Sequence, residues 1–227
     1  MRKLIILGAS GNSLSIYDAV ADHNALLSTK GEDRIDVIGF LDDTPALAGT
    51  AFCDKPILGP LEAASRYAAC EFINGIASID SYTSKPAIVA RTGVPIERFM
   101  TVVHPTAAVS RQARIGRGSA IMANCSVCAE AGVGDHVIML QNSVVNHHSV
   151  VHDFATISSL VTILGYVTIG TGAFIGGASA LRPRVTVGAR ALVGMGSVVI
   201  CDVADDAVVV GNPARALTRR QTESRLG

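Results

Sequence analysis

Three of the chain's six histidines, His147, His148 and His152, fall between Asn142 and Asp153. Imidazole changes charge near neutral pH, so such a cluster suits proton transfer or metal binding. A shared metal ion fits poorly, because neighbours on a strand point to opposite faces. A general base needs only one imidazole with room beside it for a reacting atom. Cys125-x-x-Cys128 has the spacing of half a zinc site. No second Cys or His pair stands at finger distance and four ligands are the rule, so packing is the reading there. Five cysteines are an odd count, and no disulfide framework is expected. A third candidate lies near the start, where the apolar run Lys3 to Leu7 enters Gly8-Ala9-Ser10-Gly11. Helical spacing follows from Asn12 to about Ala25. Strand, glycine turn and helix make the opening of a Rossmann-like half-domain, whose helix-start amides can hold an anion. The third glycine of the dinucleotide fingerprint is missing. Asp42 and Asp43 end a second strand, Asp36 to Leu41, where a ribose or base is gripped in such folds.

The element that must position the histidines is a repeat. From Val109 to Val199, every sixth residue is aliphatic or Met, and the residue two places earlier is small each time. A period of six belongs neither to a helix nor to an ordinary strand. It is the mark of a hexapeptide β-helix. Each hexapeptide forms one flat side of a prism and three sides close a coil of eighteen residues. Large residues fill the axis, small ones sit at the corners, and coils stack at the strand spacing of roughly 4.8 Å. Residues eighteen apart are then stacked neighbours. His147 is predicted beside Gly165, where a bare glycine leaves space for a substrate atom and offers a backbone N–H as oxyanion donor. His148 is predicted between Glu130 and Tyr166. Cys125 falls in a small corner slot, and His152 is expected at the surface or an interface.

The remaining stretches read as polar loop at Thr29 to Asp33, helix at Leu61 to Ala69, strand at Glu71 to Ile76 and helix at Ser84 to Thr92. The domain division is residues 1–103, 104–216 and a tail at 217–227, expected as a short helix or frayed end. Hydrophobic content is 49% with only 4% aromatic residues, as suits a core of small β-branched side chains. The formal net charge is zero, which argues against a general pull toward nucleic acid or anionic membrane. The opening apolar run is too short for a signal peptide and reads as a buried first strand. No run approaches a membrane span, and a cytoplasmic protein is expected.

With the glycine turn, the Asp42-Asp43 pair, a His104-Pro105-Thr106-Ala107 lead-in, the hexapeptides and a terminal Gly211-Asn212-Pro213-Ala214, the chain resembles a known family over nearly its whole length. That family is the trimeric left-handed β-helix acetyltransferases acting on nucleotide-linked amino sugars. It includes the bacillosamine-pathway and perosamine N-acetyltransferases and the sialic-acid O-acetyltransferase-like proteins. The resemblance implies an α/β Rossmann-like half-domain followed by an all-β left-handed parallel β-helix, a homotrimer, acetyl-CoA as donor and a nucleotide-sugar amine as acceptor, with no metal. It implies His147 as general base. The next residue is usually acidic and here is His148, so that either His148 or Glu130 supplies the partner. Leu140 stands where the family has an asparagine. Substrate contacts are implied at Ser10, Gly11, Asn12, Asp42, Asp43 and Gly75, and cofactor contacts at Thr156, Gly165, Gly177 and Met195. Sugar O-acetylation is the alternative chemistry, and a non-catalytic nucleotide-binding scaffold the alternative class.

Overall fold

The computed structural model describes residues 1–30 and 34–217. All of the predicted tail but Leu217 therefore lies outside the described residues, as does the 31–33 part of the predicted loop. Thr29 and Lys30 continue the first helix instead.

Strand β1 (Arg2–Leu7) runs into Gly8, whose φ of +84° turns the chain toward helix α1 (Gly11–Lys30). Next come β2 (Ile35–Leu41), a hairpin of β3 (Ala51–Phe52) and β4 (Lys55–Gly59), β5 (Glu71–Asn74) and a short α2 (Lys85–Ala90). The sheet order is β3-β4-β2-β1-β5, parallel except for β3. Leu4 to Leu7 are wholly buried, as expected of a central strand covered on both faces. The segment predicted as a helix from Leu61 is a 3-10 helix, Leu61–Arg66, and β5 stops at Asn74 because the Asn74 side chain takes the Ile76 N–H at 2.9 Å. The sequence reading passed over the β3–β4 hairpin, whose strands are short and include Pro56.

From Val102 the chain winds as a β-helix whose strands pair in parallel at a register of eighteen, for example Val127 with Val145 and Val145 with Ile163. The large residues point inward; Val145, Ile163 and Leu181 are fully buried. In the small corner slots, the Ser119, Ser143, Ser149 and Ser179 hydroxyls donate to the carbonyl fifteen residues ahead at 2.7–3.0 Å. The first three also accept the N–H eighteen ahead at 2.9–3.0 Å. Smallness is thus half the requirement; the other half is satisfying backbone groups that the corner leaves inside. Cys125 does the same with its thiol, which donates to the Leu140 carbonyl at 3.1 Å.

The prism has three walls. The first, containing the strands at Ala120–Ile121, Ile138–Met139, Thr156–Ile157 and Phe174–Ile175, lies against the amino-terminal domain. One apolar cluster runs from Leu4, Ile6, Ile16 and Val20 into Met100, Val102, Ala120, Met122 and Ile138. The second wall carries Val144–Val145 and Thr162–Ile163, and the third carries Val150–Val151 and Thr168–Ile169. Among the described residues no helix is long and apolar enough to cross a membrane.

Candidate active site

His147 and His148 occupy the corner between the second and third walls. The register seats the His147 ring directly on Gly165: a Cβ there would stand 2.7 Å from Cε1, 2.9 Å from Nε2 and 3.3 Å from Nδ1. The expected open space above the glycine is therefore filled, and filled by the imidazole. Glycine is needed for this closeness alone, since Gly165 is not in the left-handed region. Its N–H has no hydrogen-bond partner among the described residues.

The next residue turns the chain. His148 has φ of +59°, and Glu130 and Tyr166, one coil to either side, have φ of +60° and +62°. That turn brings the two imidazoles together rather than apart: Nδ1 of His147 lies 3.2 Å from Nδ1 of His148, with the rings at 87°. Tyr166 stacks on His148 at 4.7 Å and 20° and meets His147 edge-on at 5.3 Å. The Arg184 guanidinium, one coil further, caps the Tyr166 ring at 4.5 Å. Glu130, one coil back, forms no hydrogen bond or ion pair with either imidazole. His148 itself is the partner of His147. His152 is exposed.

Of the cofactor candidates, Gly165 lies at His147, whereas Gly177, Met195 and Thr156 of the same chain lie elsewhere. Gly177 and Met195 stack on the corner between the first and second walls, where the Gly196 N–H donates to the Gly177 carbonyl at 2.8 Å and Met195 is 82% exposed. Thr156 is corrected by the structure. It sits on the wall covered by the amino-terminal domain, is 1% exposed, and its hydroxyl accepts from Lys85 Nζ at 2.9 Å. It offers no surface to a cofactor. Lys85 is wholly buried, and that burial pushes its amine down to about 7. Its neighbour His136 lies between Phe99 and Phe154 and is pushed down to about 4, chiefly by burial. The sequence reading missed both groups.

At the carboxyl ends of β1 and β2, Gly8, Leu41, Asp42, Asp43, Leu61, Ile76 and Ile88 line a cavity of about 170 Å³. Asp42 accepts from the Ala9 N–H at 2.7 Å and the Thr44 N–H at 2.8 Å. Burial works to raise its pKa, but hydrogen bonds from Thr44 and Ala9 outweigh it and hold the carboxyl below its ordinary value. Asp43 accepts from the Leu61 N–H at 3.0 Å and from Arg91 at 2.9 Å. Both aspartates thus anchor the cavity's rim. Ser10 is exposed just ahead of α1, Gly11 and Asn12 begin it, and their neighbour Ser13 is buried. Gly75 is buried behind this turn, with its N–H bonded to the Leu7 carbonyl at 2.9 Å. Ile76, not Gly75, faces the cavity.

No protein-family model matches the sequence. Over 56 residues the chain is 46% identical to the bifunctional protein GlmU of Nitratidesulfovibrio vulgaris, a stretch that spans 25% of this chain and only 12% of that relative. Among solved structures, the acetyltransferase domain of PglB from Neisseria gonorrhoeae matches with a TM-score of 0.80 at 27% identity, over 96% of this chain and all of that one. The same domain in complex with acetyl coenzyme A matches at 28% identity and a TM-score of 0.79, over 95% and 99% of the two chains. Perosamine N-acetyltransferase from Caulobacter crescentus, solved with CoA and GDP-perosamine, shares the fold at 23% identity, a TM-score of 0.80 and coverage of 96% and 98%. The chain thus has the hexapeptide-repeat, left-handed β-helix fold, and its likeness to the PglB domain is a likeness to an acetyltransferase.

Proposed function

We propose that the protein transfers the acetyl group of acetyl-CoA to the amino group of a nucleotide-linked sugar. The observation that carries this reading is the seating of His147 on Gly165, with Nδ1 engaged by His148 and no hydrogen bond at Nε2 among the described residues. An imidazole so held is ready to take a proton at Nε2. The amine nitrogen attacks the thioester carbonyl, Nε2 of His147 accepts the proton it loses, and the C–S bond breaks to release CoA thiolate. The Gly165 N–H is the donor assigned to the developing oxyanion. The nucleotide belongs at the cavity edged by Gly8, Asp42 and Asp43, with the first amides of α1 at Gly11 and Asn12 facing its phosphates. The likeness to a PglB domain that binds acetyl coenzyme A supports the choice of donor.

His147 lies on one edge of the prism, and Gly177 and Met195 on another. A groove that uses all three needs a second copy, His147 of one chain opposite Gly177 and Met195 of the next. Three copies around an axis close such an arrangement.

The test supplies acetyl-CoA with UDP-, GDP- and dTDP-linked amino sugars and follows thiol release and product mass. Acetylation at nitrogen is expected, falling by roughly 10²-fold or more in His147→Ala. Transfer to hydroxyl acceptors alone, or unchanged turnover in that variant, overturns the assignment.

A further inference from the structure

The contact that sets this site apart is the Nδ1-to-Nδ1 approach of two adjacent histidines at 3.2 Å. Between two such nitrogens one must donate and the other must accept, so the pair holds a single proton on that line. A second proton there would set two N–H groups against each other. We infer that His148 is a positioning residue: as a neutral acceptor at Nδ1 it holds the His147 proton on Nδ1 and leaves Nε2 of His147 free to act as base. This rests on the reading of His147 as the base and goes beyond it, since it names what selects the tautomer.

Three observations support the assignment. His147 cannot turn freely, because its ring lies against Gly165 on one side and meets the Tyr166 ring at 86° on another. His148 is fixed in its turn by the Tyr166 ring at 4.7 Å, which Arg184 covers at 4.5 Å. These three residues are eighteen apart and share the left-handed corner conformation, with φ of 59°, 62° and 68°. The column is thus built by the fold's own register. The charged and titratable groups facing His148 are His147, Tyr166, the Arg184 cation behind it and Glu130 on the preceding coil. Of these, His147 is the group that hydrogen-bonds to it. When His147 takes the proton from the amine, its Nδ1–H still points at the His148 lone pair, and the bond becomes charge-assisted.

The pairing differs from a carboxylate–histidine pair in sign. A neutral acceptor orients the base without adding negative charge to stabilise the imidazolium. Installing a carboxylate at position 148 raises the basicity of His147, whereas an amide oxygen reproduces the acceptor alone.

The experiment compares His148→Ala, His148→Asn and His148→Asp with the wild type in kcat, KM for both substrates and the pH dependence of kcat/KM. Imidazole ¹⁵N shifts of the intact protein are recorded alongside, with His147→Ala identifying the signals. His148→Ala is expected to lower kcat by roughly 10- to 100-fold with both KM values within about twofold, and to lose the Nδ1–H form of His147. His148→Asn is expected to recover most of that loss, because its amide oxygen accepts the same proton. His148→Asp moves the acid limb of the profile to higher pH. An Nε2–H form of His147 in the wild type, or wild-type kcat in His148→Ala, overturns the inference. If His147→Ala is itself fully active, the base assignment falls first. If His147→Ala is inactive while His148→Ala is normal, only the positioning role falls.

Discussion

Gly165→Ala isolates the seat of the imidazole. The added methyl would stand 2.7 Å from Cε1 of His147 and 2.9 Å from Nε2, where ordinary contact begins near 3.4 Å. The ring must therefore retreat by about 0.7 Å, and a misplacement on the order of 1 Å costs roughly 10²-fold in rate. We expect kcat to fall by about 30- to 100-fold. The fold should tolerate the change. Gly165 is not left-handed, and its ladder bonds, Tyr166 N–H to the His147 carbonyl and Arg184 N–H to the Gly165 carbonyl, involve backbone only. Replacing glycine by alanine where the backbone permits stiffens the unfolded chain and stabilises by about 0.4–1 kcal/mol. The clash falls on a side chain that can swing, so the melting temperature should stay within about 3 °C. The decisive assay is the double variant. If the methyl acts only by displacing the ring, His147→Ala with Gly165→Ala should be no slower than His147→Ala alone. Wild-type kcat in Gly165→Ala refutes the reasoning. So does a further fall of the same size in the His147→Ala background, which would mean that the methyl acts on something other than the ring.

Lys85 is buried with its amine pushed down to about 7, against an ordinary 10.5 when unfolded. Between those values the unfolded chain holds the extra proton, so stability rises with pH by up to about 1.4 kcal/mol per unit. Lys85→Met should abolish that rise in urea midpoints measured from about pH 7 to 9, and equal slopes in both proteins would contradict it. Gly75→Ala would place a methyl against the Ser13 hydroxyl and 2.9 Å from the Leu7 carbonyl oxygen. Backbone cannot retreat cheaply, so a loss of about 1–3 kcal/mol in chemical denaturation is expected, and an unchanged midpoint would disprove the packing role. Asp42→Asn leaves one oxygen for two N–H donors, those of Ala9 and Thr44. The KM for the nucleotide sugar should rise by roughly fivefold with kcat retained, as loss of uniform binding requires; an unaltered KM would remove Asp42 from the binding rim.

The site was legible in the chain to the extent that it follows from counting. A repeat of six that closes after three sides sets every stacking partner eighteen residues away, and this alone brings Gly165 against His147 and Tyr166 against His148. Counting does not say which side of a corner a ring will face. The rule that strand neighbours point apart fails at His147 and His148 because His148 is left-handed, and there the two rings meet. Nor does counting say which wall is covered. The family resemblance puts Thr156 at the cofactor, yet it lies beneath the amino-terminal domain with Lys85. A signal for this was present in the residue just before each large inward one. On the third wall these outward positions read Arg114, Gly132, Val150, Thr168 and Thr186; on the first they read Ala120, Ile138, Thr156, Phe174 and Leu192. A solenoid face with Ile, Phe and Leu pointing outward has to be covered by something, and the half-domain ahead of it in the chain supplies the apolar partner. Once that wall is taken, the edge that it does not touch, between the second and third walls, is the one that carries His147 outward.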